Sequence, residues 1–132
     1  MDNLIAAFLA SPPFAVVGAS NDREKYGNKV LRRYRQGGYQ AYAVHPTETE
    51  IEGEPCYPNL ASLPEQVENV SIITPPSITE RIVEEAAAAG VKRVWMQPGA
   101  ESQAAIDRAR SLGLEVIAGG PCVLVALATR DR

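Results

Sequence analysis

The chain is short of the residue types on which several chemistries depend. It has one histidine and two cysteines, Cys56 and Cys122, in 132 residues. Two thiols cannot build a disulfide scaffold, and with a single imidazole they fall short of a four-ligand zinc site. No apolar run approaches the roughly 18 residues that a membrane-spanning helix needs. Met1 is followed by Asp2 rather than by a basic segment leading into an apolar one. A cytoplasmic protein with no metal and no membrane contact is the expectation. Internal repeats and low-complexity tracts are missing too. So is any basic excess: 13 Lys and Arg against 16 Asp and Glu give a net charge of −3, which offers nucleic acid no electrostatic footing.

What is present fits one globular domain over residues 1–132, with 1–13 forming an N-terminal helix and a Pro-containing turn. Hydrophobic residues make up 45% of the chain, enough for a single core. The charge is unevenly spread. Six of the thirteen basic residues (Arg23, Lys25, Lys29, Arg32, Arg33, Arg35) fall within thirteen positions, whereas residues 48–68 hold six glutamates and no Lys or Arg.

Short apolar runs bounded by turn residues read as buried strands at Phe14 to Val17, Ala41 to Val44, Val70 to Thr74, Val94 to Met96 and Leu114 to Ile117. Helical periodicity separates them. Leu4, Ile5, Phe8 and Leu9 share one face after Asp2, and Val30, Leu31 and Tyr34 share another before Gly37-Gly38. Ser77 with Glu80 forms a capping-box pattern that opens a third helix, and Ser102 opens a fourth. The alternation predicts an α/β fold: a single Rossmann-like, doubly wound domain of about five parallel strands with helices on both faces.

In such sheets ligands bind beyond the carboxyl ends of the strands. The segments there are Gly18-Ala19-Ser20-Asn21, His45-Pro46-Thr47, Thr74-Pro75-Pro76, Gln97-Pro98-Gly99 and Ala118-Gly119-Gly120. The first invites a dinucleotide reading, but Ser20 and Arg23 occupy the second and third glycine positions of G-x-G-x-x-G. The ribose-binding acid is replaced by His45, which disfavours NAD. Arg23 and Lys25 instead offer two cations to a phosphate approached by the backbone near Ser20. The alternative, that they only balance Asp22 and Glu24 on a solvated turn, is left open by charge alone.

The stretch Val16-Val17-Gly18-Ala19-Ser20, then Gly38-Tyr39, His45-Pro46, Cys56-Tyr57-Pro58, Pro75-Pro76, Val94 to Gly99 and Cys122 resembles the stand-alone CoA-binding domain proteins. These are relatives of the N-terminal domain of the succinyl-CoA synthetase α subunit, and the likeness covers residues 14 to about 127. It implies a Rossmann-like fold and coenzyme A, or an acyl-CoA, as ligand. By position, Gly18, Ala19, Ser20 and Asn21 would bind phosphate through the backbone, and Arg23 and Lys25 would supply cations. His45 and Pro46 would border the adenine and ribose. Thr74, Pro75 and Pro76 would line the pyrophosphate and pantetheine path, with Gln97 and Gly99 further along. The chain departs from the family pattern at His45, where Asn is usual, and at Thr47, where Lys or Arg is usual.

No complete catalytic constellation is visible, since nothing in the sequence fixes a carboxylate or nucleophile beside His45. Cys122 is expected at the pantetheine end, where it could exchange into a mixed disulfide with CoA; the alternative is an inert thiol. Trp95 reads as core. The function expected is a non-catalytic CoA-binding carrier, sensor or partner module. Two alternatives stand beside it: a small Rossmann-type enzyme or redox sensor using ADP or NAD(P), and an interaction domain whose acidic segment docks a basic partner. A homodimer and a separate protein partner both stay open.

Overall fold

The computed structural model describes residues 2–130. At its centre is β1 (Phe14–Val17), whose four residues are all buried, as a strand covered on both faces must be. It pairs in parallel with β2 (Ala41–Val44) on one side and β5 (Asn69–Ile72) on the other. Beyond β5 lie β6 (Arg93–Met96) and β7 (Glu115–Ile117), also parallel. The five expected strands are therefore present. The acidic segment adds two more, β3 (Glu50–Ile51) and β4 (Glu54–Tyr57), an antiparallel hairpin whose second strand runs parallel to β2. The order across the sheet is β3-β4-β2-β1-β5-β6-β7.

Side chains alternate between two cores. Ala15 and Val17 of β1 face α3 (Pro76–Ala88) and α4 (Gln103–Ser111), meeting Val83, Ala86, Ala105 and Ala109. Phe14 and Val16 face the other side, where α1 (Asp2–Leu9), α2 (Tyr26–Gln36) and α5 (Val123–Arg130) supply Phe8, Val30, Leu31 and Leu127. Helices on both faces of a mostly parallel sheet make the doubly wound architecture. Trp95 is core: it is fully buried, meets Phe8 edge-on at 5.3 Å and donates from Nε1 to the Pro121 carbonyl at 3.0 Å.

Of the two serine caps expected, one holds and one shifts. Ser102 caps α4, its hydroxyl accepting from the Ala105 amide. Ser77 does not cap α3, because the helix begins one residue earlier at Pro76, whose missing N–H and fixed φ suit a first helical position. The α5 helix follows Gly-Gly-Pro and is apolar almost throughout, so no polar face marks its period. No helix among the described residues is long and apolar enough to cross a membrane.

One polar pair crosses the second core. Tyr34 and Ser71, both fully buried, share a hydrogen bond of 2.8 Å, and burial holds the Tyr34 phenol above its ordinary range. Ser71→Ala is expected to cost about 1–3 kcal/mol in chemical denaturation, because the phenol loses its partner. Adding Tyr34→Phe to Ser71→Ala should recover part of that loss.

Candidate functional site

A cavity of 720 Å³ opens over the carboxyl ends of β1, β2 and β5, within the roughly 300–1,000 Å³ of small-molecule sites. Because β1 lies between β2 and β5, the cavity stands where the winding of the chain reverses, the place at which parallel sheets hold ligands. Gly18, Ala19, Ser20, Lys25, His45, Pro46, Thr74 and Pro75 line it. Asn21, Arg23, Pro76, Gln97, Gly99 and Cys122 lie outside its lining.

Two glycines make the crevice. Gly18 has φ +95°, and a Cβ on it would lie 2.0 Å from the Ile73 carbonyl oxygen. A Cβ on Gly27 would lie 2.0 Å from the Gly18 carbonyl oxygen. The ends of β1 and β5 and the first turn of α2 thus touch backbone to backbone. Close helix-on-strand packing is the role of the third glycine in a dinucleotide loop; here Gly27 takes it, after a longer loop than the fingerprint allows. At the N-cap of α2, Lys25 makes no side-chain cap, and Tyr26 and Gly27 of the first turn line the cavity; an uncapped helix start of this kind suits an anion.

The loop before α2 is tied down from the hairpin. Glu52, in the β3–β4 turn, has a left-handed φ of 52°, uncommon for a residue with a side chain. Its carboxylate accepts from Arg23 at 2.7 and 3.1 Å and from the buried Asn28 amide at 3.0 Å. Asn28 Nδ2 also donates to the Ser20 carbonyl at 2.8 Å, and Asn21 bonds the backbone of both Glu50 and Glu52. Arg23 and Asn28 pull the Glu52 carboxyl down to about 2, and Arg23 is held above its usual range by Glu52 in return. The basic window and the acidic segment therefore meet, and the cation at Arg23 is spent on the hairpin. Asn28 and Glu52 escaped the sequence reading; an asparagine inside an apolar helical pattern was the one local hint.

His45 holds its own loop. Its Nδ1 accepts from the Thr47 and Glu48 amides at 3.2 and 3.1 Å, which assigns the neutral ring a hydrogen on Nε2. A ring so engaged presents a donor rather than a free basic nitrogen. Thr74 bonds the Thr79 hydroxyl at 2.8 Å, bracing the first turn of α3. Gln97 is fully buried, its Oε1 accepting from the Val123 amide at 2.9 Å and from the Tyr26 hydroxyl at 3.3 Å. Tyr26 lines the cavity, and burial, with a contact to the Cys122 thiol, holds its hydroxyl above the usual phenol range. Cys122 thus sits half-buried behind Tyr26, and Cys56 is buried, which pushes its thiol up.

Two measurements check this construction. Gly27→Ala is expected to cost at least about 2 kcal/mol, since backbone must move to admit the methyl. Gly53→Ala should cost roughly 1–2 kcal/mol, because φ is +78° there but the space is open. Equal losses would remove the close-approach argument. For Glu52, whose folded value lies below the ordinary 4.5, the stabilisation is complete above pH 4.5 and is lost as pH falls toward 2. The stability gap between wild type and Glu52→Gln should therefore be flat at neutral pH and close across that acid window.

A family model described as a CoA binding domain matches residues 13–128. The chain is 33% identical over 96 residues, 73% of its length, to ADP-forming acetate–CoA ligase I of Archaeoglobus fulgidus. It is 34% identical over 82 residues, 61% of its length, to the alpha subunit of ADP-forming acetate–CoA ligase II of Pyrococcus furiosus. The chain spans only 14% and 18% of those relatives. Among solved structures, a hypothetical protein from Pyrococcus horikoshii OT3 matches with a TM-score of 0.89 at 29% identity, covering 98% of this chain and 89% of that one. A dinucleotide forming acetyl-coenzyme A synthetase 1 from Ca. Korarchaeum cryptofilum, in complex with phosphate and ADP, matches with a TM-score of 0.75 at 29% identity, over 89% of this chain and 27% of that one.

Proposed function

The chain belongs to the CoA-binding domain family, and from that premise we propose that it binds coenzyme A or an acyl-CoA in the crevice over β1, β2 and β5, without a catalytic centre of its own. The observation that carries this reading is the junction of Gly18, Gly27 and Ile73, which brings a glycine loop and an uncapped helix start to the mouth of a 720 Å³ cavity. Amides of the Gly18 to Ser20 loop and of the first turn of α2 bind the pyrophosphate, with Lys25 as the cation beside them. Arg23 and Asn21 contribute by fixing that loop to the hairpin. The Nε2–H of His45, with Pro46, borders the adenosine. Thr74, Pro75 and Pro76 flank the path of the pantetheine arm, and Gln97 and Gly99 lie beyond it, Gln97 as a support for Tyr26.

A carrier, sensor or partner role fits better than catalysis. His45 has its Nδ1 committed to two amides, and no carboxylate or thiol among the described residues bonds its ring. The curated ligases devote a small share of their length to the region like this chain, which supports a ligand-holding part rather than a whole reaction.

Thermal denaturation with CoA, ADP and NAD in parallel tests the reading. CoA at 100 times its dissociation constant should add about 2.7 kcal/mol, a shift of several degrees for a domain of this size. A shift with NAD and none with CoA would overturn it.

A further inference from the structure

The charges around the crevice divide into those already committed and those that are not. Arg23 is bound to Glu52, Arg32 to Asn28 and Arg35 to the Ala41 carbonyl. Lys92, Arg93 and Arg108 pair with Glu68, Glu115 and Glu84. The two cations that line the cavity, Lys25 and Arg81, have neither an ion pair nor a side-chain hydrogen bond among the described residues. They stand on different walls: Lys25 at the start of α2, Arg81 on α3.

Acidic neighbours do not account for Arg81. Glu85, one turn further along α3 and also in the cavity lining, spends Oε1 on the Leu60 amide at 2.6 Å. Glu84 is held by Arg108, and Glu80 makes no ion pair with Arg81. The same cavity lining has apolar members at Val44, Pro58, Ile78 and Ile82. Such a surface suits a flat base, and the flanking charges suit two separate anionic groups on one nucleotide.

Resting on the CoA reading above, we propose that Arg81 binds the 3′-phosphate of the ribose and is the residue by which this chain prefers CoA to dephospho-CoA. Lys25 and the loop amides take the pyrophosphate, which both ligands carry. Arg81 takes the group that only CoA carries, and its planar fork can bind two phosphate oxygens at once.

Isothermal titration of wild type, Arg81→Gln, Arg81→Lys and Lys25→Gln with CoA and with dephospho-CoA tests the assignment. Arg81 is exposed, so its replacement should leave the fold intact, and thermal denaturation without ligand checks this. The expected result is that Arg81→Gln weakens CoA by about tenfold or more and leaves dephospho-CoA within about twofold, while Arg81→Lys falls between. Lys25→Gln should weaken both ligands alike. CoA binding unchanged by Arg81→Gln, or equal losses for the two ligands, would overturn the role of Arg81 and leave the CoA reading standing. No binding of either ligand by wild type would overturn both.

Discussion

Three pieces of backbone meet where no side chain fits. The end of β1, the exit of β5 and the first turn of α2 approach so closely that a Cβ on Gly18 or Gly27 would fall 2.0 Å from a carbonyl oxygen. The crevice follows from that contact. It brings the start of α2 down onto the sheet, so that Tyr26 and Gly27 of its first turn line the cavity over β1 and β2. Hydrophobic burial on both sheet faces supplies the stability, and the two glycines let the start of α2 approach the backbone of β1.

Electrostatics then act on a shape already fixed. The basic window offers two cations to a phosphate, and one alternative makes the acidic segment a docking face for a basic partner. Folding brings the two together instead. Glu52, in a left-handed turn position, gathers Arg23 and Asn28 and so clamps the loop that carries Gly18 to Ser20. Glu48 meets Asn21, and Glu68 meets Lys92. Much of the acidic segment is thereby used inside the molecule, which weakens the case for it as a docking face. Family membership is the ground for the proposed ligand class, and the charges left unpaired in the cavity, Lys25 and Arg81, are the ground for the proposed contacts.

The sheet was legible because its strands are short apolar runs fenced by glycine and proline, and the crevice was legible because strand ends imply it. Eight of the residues named from the sequence line the cavity. The rest was hidden for physical reasons. Strands of two and four residues carrying Glu and Pro do not alternate long enough to show a period. The α5 helix is too uniformly apolar to show one. Arg23 and Glu52 are 29 positions apart, so their pairing depends on a hairpin that the pattern did not reveal. Arg81 carries no signal in the sequence, because what distinguishes it is that Glu84 and Glu85 are engaged by Arg108 and the Leu60 amide. Gly27 was missed because the fingerprint fixes a spacing, whereas the physics fixes only a close approach.

The central claim is that the backbone junction of β1, β5 and α2 is the ligand's anion site. A titration of amide resonances with CoA, read by two-dimensional NMR, tests it most directly. The largest shifts are expected at Ala19, Ser20, Tyr26 and Gly27, with smaller ones along α3 at Ile78 and Ile82. Shifts confined to α1 and α5, with the Gly18 loop and the start of α2 unmoved, would contradict it.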